Sequence, residues 1–387
     1  MLETHLINNY KRMDIAFEQG SNYTLTDTSG KSYIDLLAGI AVVNVGHSNP
    51  HVIRSVQEQL PRLVHTSNIF RIPLQEALAT RITELSFPCK GFFCNSGAEA
   101  NEAAVKLARL YSFNKRGADN FKIITLLRSF HGRTMAGISA TGQEKVKLGF
   151  NPLLNGFEHV EPNDMEAMAK AARGAAAILV ELVQGESGVH PLDRGYVREL
   201  RQFCSDNDIL LMLDEVQTGI GRTGKMFAFQ NYDIEPDVFT IAKGLGNGFP
   251  IGAMFAKEPF ASHMVPGTHG STFGGNPLCC SAAMGVLDAF ETDGILEHVQ
   301  HMEAHLRELC EAMLGRGTIM SYRGLGLMYA LELPGEMPDL VKACLQNGLI
   351  INQTSPSTIR LLPPLTIDRQ GLSQGLEILE NTIRNLT

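Results

Sequence analysis

The sequence carries no CxxC pair, no apolar run of membrane-spanning length and no surplus of positive charge, and each absence removes a class of protein. Its cysteines are odd in number, seven, at Cys89, Cys94, Cys204, Cys279, Cys280, Cys310 and Cys344. Without paired spacing they read as reduced thiols packed inside a cytoplasmic protein, not as a disulfide framework. The longest apolar stretches, such as 175–180 and 209–213, fall far short of the roughly 20 residues that cross a bilayer. The opening MLETHLINNYKRMDIAFEQG has neither the apolar centre of a secretory signal nor the acid-poor amphipathic character of an organelle transit peptide. Lys and Arg total 33 against 41 Asp and Glu, a formal charge of −8 at pH 7, so no general attraction draws the chain to nucleic acid or an anionic membrane. Neither GxSxG nor HExxH occurs, which leaves hydrolase and zinc-protease readings without an anchor. A soluble, cytoplasmic protein without a metal site is the expectation.

What remains has an ordinary globular composition. Of 387 residues, 44% are hydrophobic and 19% charged, with 37 glycines and 17 prolines, which sets aside disorder, collagen and coiled coil. At roughly 100–200 residues per domain the length suggests two domains, with ample core and no need of metal or disulfide staples. The segment TDTSGKSYIDLL reads as a hairpin with Gly30 at its turn and a short strand over 32–37. From about residue 51 the texture changes. Helical patterns over 51–63 and 73–86 lead into an apolar run at 91–94 and a small-residue helix over about 98–113. Short apolar runs at 122–127, 175–182, 209–213 and 238–242 then alternate with helix-length segments such as 163–173 and 194–207. That alternation predicts an α/β domain round a largely parallel sheet. Beyond the Gly- and Pro-rich stretch 267–277, helical patterns at 278–291, 294–314, 337–347 and 369–386 and the run 325–333 predict a separate α+β domain.

Four loops stand where an α/β sheet places chemistry, beyond the carboxyl ends of strands. Asn95-Ser96-Gly97-Ala98-Glu99 precedes an alanine-rich helix. Ser96 and Glu99 have capping-box spacing, and Gly97 lets backbone N–H groups approach an anion that the helix dipole favours; an ordinary helix cap reads the same way. Ser129-Phe130-His131-Gly132-Arg133 sets an aromatic, able to stack on a planar cofactor, beside an arginine able to grip a carboxylate. Alone, it is equally a turn with a surface arginine. Asp214-Glu215-Val216-Gln217 ends the apolar run ILLML, and acids almost never sit there unless paired with a heterocyclic N–H+, a metal or a salt-bridging cation. Lys243 follows VFTIA and precedes glycines. Burial or neighbouring cations would lower its pKa and make the amine nucleophilic toward a carbonyl, although a lone lysine before glycine is more often solvated. Together the loops supply an anion cup, a stacking ring, a buried acid and a nucleophilic amine, the set that pyridoxal 5′-phosphate (PLP) requires.

Other patterns fail on context. Gly219-Ile220-Gly221-Arg222-Thr223-Gly224 matches GxGxxG and nearly matches a phosphate-binding loop, but Met226 replaces the required Ser or Thr, and FAFQNYD does not read as a helix. His298, His301 and His305 share one helix face with no carboxylate or cysteine to complete a metal set, and are expected on a solvated face. Cys279-Cys280 opens an apolar helix and reads as packing.

The strings CNSGAEANEAAVKLAR, SFHGRT, VQGE, LDEVQTGIGRTGK, AKGLGNG, HGSTFGGNPL and RLLPPLTI resemble class III aminotransferases of fold-type I, in order and over nearly the whole chain. They most closely resemble the acetylornithine aminotransferase subgroup. The resemblance implies a large PLP-binding domain over 51–277 with a mostly parallel seven-stranded sheet, and a smaller α+β domain formed by 1–50 and 278–387. It implies that Lys243 holds PLP and shuttles the proton at the substrate carbon, and that Asp214 keeps the pyridine nitrogen protonated. Gln217 would contact the ring hydroxyl, Phe130 would stack on the ring with His131 beside it, and Ser96, Gly97 and Ala98 would surround the phosphate. Thr272 resembles a threonine that reaches the phosphate from the neighbouring subunit, which implies a homodimer with shared active sites. Arg133 resembles the arginine for the carboxylate remote from the reacting amine, and Arg360 the one for the α-carboxylate of glutamate. Glu186 resembles a gate that pairs with Arg360 until glutamate arrives, and Ser271 and Ile40 complete the implied substrate contacts.

The sequence departs from the subgroup in places. Leu182 follows Glu181 where proline is usual, and a local backbone effect is the expectation. Ile69-Phe70-Arg71 replaces an aromatic pair after HTSN, so the acyl pocket should differ in detail. Ile40 stands where ornithine aminotransferases carry a tyrosine, which favours an acylated donor, although 4-aminobutyrate enzymes also carry isoleucine there. The implied reaction takes N2-acetyl-L-ornithine (N-acetylornithine) and 2-oxoglutarate to N-acetyl-L-glutamate 5-semialdehyde and L-glutamate, a step of arginine biosynthesis. N-succinyl-diaminopimelate, succinylornithine, ornithine and 4-aminobutyrate stand as alternative donors. Glutamate 1-semialdehyde isomerisation and a PLP-binding regulatory protein stand as alternative functions.

Overall fold

The strand Ala177–Val180 divides its side chains between two cores. Ile178 and Val180 enter one cluster and Ala177 and Leu179 the other, and the same rule separates Leu211 and Leu213 from Leu210 and Met212. Successive side chains of a strand leave on opposite faces, so a sheet whose strands are apolar at every position must be covered on both sides. The computed structural model, which describes residues 5–386, shows such a sheet. Its seven strands lie in the order Lys90–Cys94, Gly252–Ala256, Val238–Ile241, Leu210–Asp214, Ala177–Val180, Ile123–Leu126, Phe157–Val160. Only Gly252–Ala256 runs antiparallel to its neighbours. The α/β class and the mostly parallel seven-stranded sheet are as expected. Two of its strands, GAMFA at 252–256 and FEHV at 157–160, have no counterpart in the sequence reading.

One face is covered by the helix Gly97–Arg116, which lays Ala103, Ala104, Leu107 and Ala108 against the sheet. Ser96 starts it by accepting the Glu99 N–H at 3.2 Å, a cap worth about 1 kcal/mol. Lys115 and Arg116 oppose the helix dipole at the other end, and Gly117 at φ +87° turns the chain away. The opposite face carries Arg194–Asp206 and Pro277–Asp293 through Val197, Leu200, Val286 and Ala289. Because the other six strands share one direction, the loops after Cys94, Leu126, Val180, Asp214 and Ile241 open at the same edge of the sheet.

Two smaller sheets flank this unit. Phe17–Ser21, Thr24–Asp27 and Ser32–Asp35 form a meander, with Gly30 at φ +85° in the expected hairpin turn, and Leu349–Ile350 pairs in parallel with Ser32–Asp35. The second sheet runs Ser321–Leu325, Met328–Glu332, Thr358–Leu361, Asn352–Ser355, all antiparallel. Residues 1–4 and 387, the ends of the expected smaller domain, lie outside the described residues.

The histidine face needs correction. His298 Nε2 lies 2.7 Å from Ile367 O, and His305 is buried with Nε2 2.8 Å from Ser373 Oγ. The segment leading into the helix Arg369–Leu386, and that helix itself, cover the side predicted to be solvated; His301 alone is exposed. The glycine-rich string 219–224 is a buried junction. Arg222 donates to Leu327 O at 2.9 Å, Pro363 O at 2.6 Å and Asn44 Oδ1 at 2.7 Å, and burial pushes its guanidinium down to about 9. All seven cysteines are free. Among the described residues, no helix is long and apolar enough to cross a membrane, and no three His, Cys, Asp or Glu side chains converge to hold a metal.

Candidate active site

Asp214 closes the strand Leu210–Asp214 and is buried, so its charge needs donors. Three are present. Asn101 Nδ2 and His131 Nδ1 reach Oδ2 at 2.7 and 2.8 Å, and Val216 N reaches Oδ1 at 3.1 Å. Asn101 also donates to His131 O and accepts from Thr240 Oγ1, which ties the helix Gly97–Arg116 to two strand ends. His131 Nε2 is buried without a partner among the described residues, the kind of atom that a bound polar group satisfies.

These residues border a cavity of about 420 Å3 at the common edge of the parallel strands. Gly97 and Ala98 line it with first-turn amides that the helix cannot satisfy itself. A Cβ at Gly97 would fall 2.5 Å from Val216 Cγ1, and one at Gly132 would fall 2.9 Å from Ala98 Cβ, so three loops meet too closely for side chains there. Glu99 departs from the expected capping box: its carboxylate accepts from Asn95 N and Nδ2 at 2.6 and 2.9 Å, one residue outside the cap. Phe130 lines one wall, and its amide donates to Glu181 Oε2 at 2.9 Å. Burial, reinforced by Asp214, holds the Glu181 carboxyl well above the usual carboxylate range.

Lys243 begins a short turn after Val238–Ile241 with φ +42°, a left-handed conformation costing roughly 1–2 kcal/mol outside glycine. Its side chain lines the cavity, with protein packed closely round it. Desolvation pushes the amine below the usual lysine range, with Glu186 pulling upward and Arg360 downward. Its amine makes no hydrogen bond within the described residues. Behind the cavity, buried Arg360 in the strand Thr358–Leu361 donates to Glu186 Oε1 at 2.6 Å, Gly185 O at 3.1 Å and Asn352 Oδ1 at 3.0 Å. Burial alone would raise Glu186, but Arg360, helped by Lys243 and Gln217, outweighs it and the carboxyl is lowered. Gln217 Nε2 also reaches Glu186, at 3.2 Å. Arg133 is exposed at the cavity, its guanidinium 5.5 Å from the centre of the Phe130 ring.

The structure thus gathers Ser96, Gly97, Ala98, Phe130, His131, Arg133, Glu186, Asp214, Gln217 and Lys243 round one cavity, with Arg360 behind Glu186. Besides Arg360, three predicted residues do not line it within one chain. Ser271 Oγ accepts from Asn95 Nδ2 and Gly274 N, Thr272 is exposed, and Ile40 is exposed at φ +67° while Val42 lines the cavity in its place. Sequence reasoning missed Asn101, Glu181 and Val216 as site residues. For Asn101 the available signal was a polar residue one turn inside an alanine-rich helix; for Glu181, an acid at the end of the buried run 177–180.

The geometry offers an anion seat, a buried acid with fixed donors, a desolvated amine and two arginines on different sides. The class-III aminotransferase family model matches residues 6–383, and the chain belongs to that family. It is similar, at 45% identity over 387 residues, to acetylornithine aminotransferase 1 of Bordetella bronchiseptica, covering 99% of this chain and 98% of that one. The acetylornithine aminotransferase of Caldanaerobacter subterraneus subsp. tengcongensis is 44% identical over 385 residues, with the same shares of 99% and 98%. Among solved structures, the ornithine aminotransferase of Toxoplasma gondii, seen with partial occupancy of PLP at its active site, superposes with a TM-score of 0.94 at 29% identity, covering 99% of this chain and 92% of that one. The acetylornithine aminotransferase of Elizabethkingia anophelis gives 0.87 at 34% identity, with 98% and 96% covered.

Proposed function

We propose that this chain transfers the terminal amine of N2-acetyl-L-ornithine to 2-oxoglutarate with PLP, giving N-acetyl-L-glutamate 5-semialdehyde and L-glutamate. The observation that carries the reading is the 2.6 Å pair of Glu186 and Arg360 beside the desolvated Lys243 amine. A donor with no carboxylate at that point leaves the pair closed, while glutamate needs Arg360 released. The choice of acetylornithine rests on the 44–45% identical relatives that bear that name. Ornithine is the second reading, favoured by the Toxoplasma gondii superposition but at 29% identity.

The residues fit PLP: His131, whose Nε2 has no partner among the described residues, the Gly97–Gly132 cradle and Lys243 all line one cavity. When bound, PLP supplies an aldehyde for amines and a cationic ring that withdraws electrons from the substrate carbon. Lys243 would hold it, Ser96, Gly97 and Ala98 would take its phosphate, Phe130 would cover the ring with His131 beside it, and Asp214 and Gln217 would meet its polar edge. Lys243 moves the proton at the substrate carbon. Arg133 orients the remote carboxylate, and Ser271 and Ile40 would add contacts at the donor's end.

We read the working unit as a cytoplasmic homodimer in which Thr272 serves the neighbouring site. The chain exposes 17608 Å2, whereas a monomeric protein of this size exposes about 15,000 Å2. Ile69, Phe70 and Phe273 are 82%, 63% and 60% exposed, and Asn68 donates to Ser271 O and Gly274 O, so these apolar groups sit close to Thr272. We divide the chain into 51–277 and a smaller unit of 1–50 with 278–387, supported by the pairing of Leu349–Ile350 with Ser32–Asp35; the helix Pro277–Asp293, which packs on the large sheet, joins the two. The test is glutamate formation from 2-oxoglutarate with each donor in turn. N-acetylornithine should give the highest kcat/KM. A higher value for ornithine or 4-aminobutyrate would refute the donor, and turnover without 2-oxoglutarate would refute the reaction.

A further inference from the structure

One rung of the second four-stranded sheet carries two arginines on the same face. Arg323 is paired with Ala330, Ala330 with Arg360, and Arg360 with Asn352. Residues directly opposite across a sheet point the same way. Both guanidinium groups reach the loop 185–189, which joins the paired strands Val183–Gln184 and His190–Pro191. Arg360 holds its beginning, through Gly185 O at 3.1 Å and Glu186 Oε1 at 2.6 Å. Arg323 holds its end, donating from Nε to Val189 O at 3.0 Å and from Nη2 to Gly188 O, while Nη2 also lies 2.7 Å from Glu332 Oε1.

The two grips differ in kind. Besides Gly185 O, Arg360 meets a side chain that can rotate away, whereas Arg323 meets the loop only through backbone carbonyls, whose positions do not depend on where Glu186 points. The end that Arg323 holds is also strained. Val189 is buried at φ +55°, in the left-handed region where a β-branched residue is a marked outlier, and Gly188 stands at φ +116°. A Cβ on Gly188 would fall 2.9 Å from Arg323 Nη2, so the guanidinium lies flush against the loop. Strain of this kind persists only where surrounding contacts over-determine it, and Arg323 supplies them.

We propose that Arg323 is a positioning residue for the alternation between donors. It pins the strained 188–189 end of the loop so that Glu186, at the other end, meets Arg360, and so sets how well the site takes a donor without a carboxylate relative to glutamate. The proposal rests on the reading of Glu186 and Arg360 as the alternating pair.

The experiment compares R323M and R323K with E186A, as PLP-loaded enzyme, in the separate half-reactions with N-acetylornithine and with glutamate. R323M should lower kcat/KM for N-acetylornithine roughly tenfold through KM, the effect of losing charged hydrogen bonds that hold the pair, while glutamate changes less than about threefold. E186A should split the two donors in the same direction. Equal losses for both donors in R323M and R323K, with the split present in E186A, overturn the positioning role alone. No split in E186A overturns the reading of the pair, and this proposal with it. Should R323M not fold, R323K with V189G carries the test, because glycine adopts φ +55° without strain: the donor ratio should recover relative to R323K, and no recovery refutes the role. In the cofactor-free protein, amide hydrogen exchange over 185–190 should be faster in R323K than in wild type, and unchanged exchange counts against it.

Discussion

Asn101 Nδ2 and His131 Nδ1 converge on a single oxygen of Asp214, at 2.7 and 2.8 Å. Two donors on one oxygen fix the plane of the carboxylate before any ligand arrives. Asn101→Ala removes one of them and leaves Thr240 Oγ1 without its acceptor. PLP binding to cofactor-free protein should weaken roughly tenfold. Asn101→Asp should weaken it further, by placing a second carboxylate against Asp214. Absorbance titration with PLP checks both, and unchanged affinity in the pair would refute the role given to Asn101.

In the role proposed for it, Lys243 would react with PLP only as the neutral amine. Since burial lowers its pKa, capture of PLP by cofactor-free protein should rise with pH through a midpoint below the ordinary lysine value of roughly 10.4. Borohydride reduction followed by mass spectrometry measures the captured fraction. Lys243→Ala should show neither cofactor mass nor turnover, and retention of either would refute its role.

Arg133 is exposed and, among the described residues, is held only over the Phe130 ring, which leaves it able to meet a substrate carboxylate. Arg133→Lys replaces a two-pronged donor by a point charge. KM for N-acetylornithine should rise roughly tenfold with kcat within about threefold. Steady-state kinetics decide it; a loss confined to kcat would remove Arg133 from substrate binding.

Glu215 neighbours the site without entering it. Its carboxylate accepts from Ala228 N at 3.0 Å, Phe229 N at 2.9 Å and Thr218 Oγ1 at 2.6 Å, and burial pushes it up to about 7. Unfolded, it titrates near roughly 4.3. Between those values the folded chain keeps a proton that the unfolded chain has shed. Its stabilising contribution is therefore full below the unfolded value and is lost as pH rises through about 7. Glu215→Gln cannot titrate, so wild type should lose ground against it from pH 5 to pH 8, by on the order of 3 kcal/mol. Thermal unfolding of both proteins across that range checks the sign, and a constant difference would refute it.

The large sheet was legible because Ile123–Leu126, Ala177–Val180, Leu210–Asp214 and Val238–Ile241 are apolar on both faces, and such runs stand out from polar connections. GAMFA at 252–256 has the same burial, but it begins with glycine and has no helical partner in sequence to mark it as part of the alternation. Asp214 and Lys243 were legible because each ends an apolar run. Asn101 was not, since a polar residue in an alanine-rich helix looks the same whether it faces water or an acid 113 residues away. His298 and His305 failed for the complementary reason: the cover over their face comes from residues 367 and 373. Their polarity reported hydrogen bonding, which the sequence alone could not separate from solvation.

Arg222 takes its acceptors from residues 44, 327 and 363, so a growing chain has no complete place for that charge until synthesis is nearly over. Asn44, held in this cluster, packs against Gly244, where a Cβ would fall 2.3 Å from its amide nitrogen, immediately beside Lys243. The strands of the large sheet all lie before residue 257 and are free to pair earlier. We therefore expect the wall beside the lysine to close late on the ribosome. Pulse proteolysis of ribosome-arrested chains should find cleavage near Asn44 suppressed only once residue 363 has left the exit tunnel; protection at shorter lengths would show that the wall sets without its last anchor.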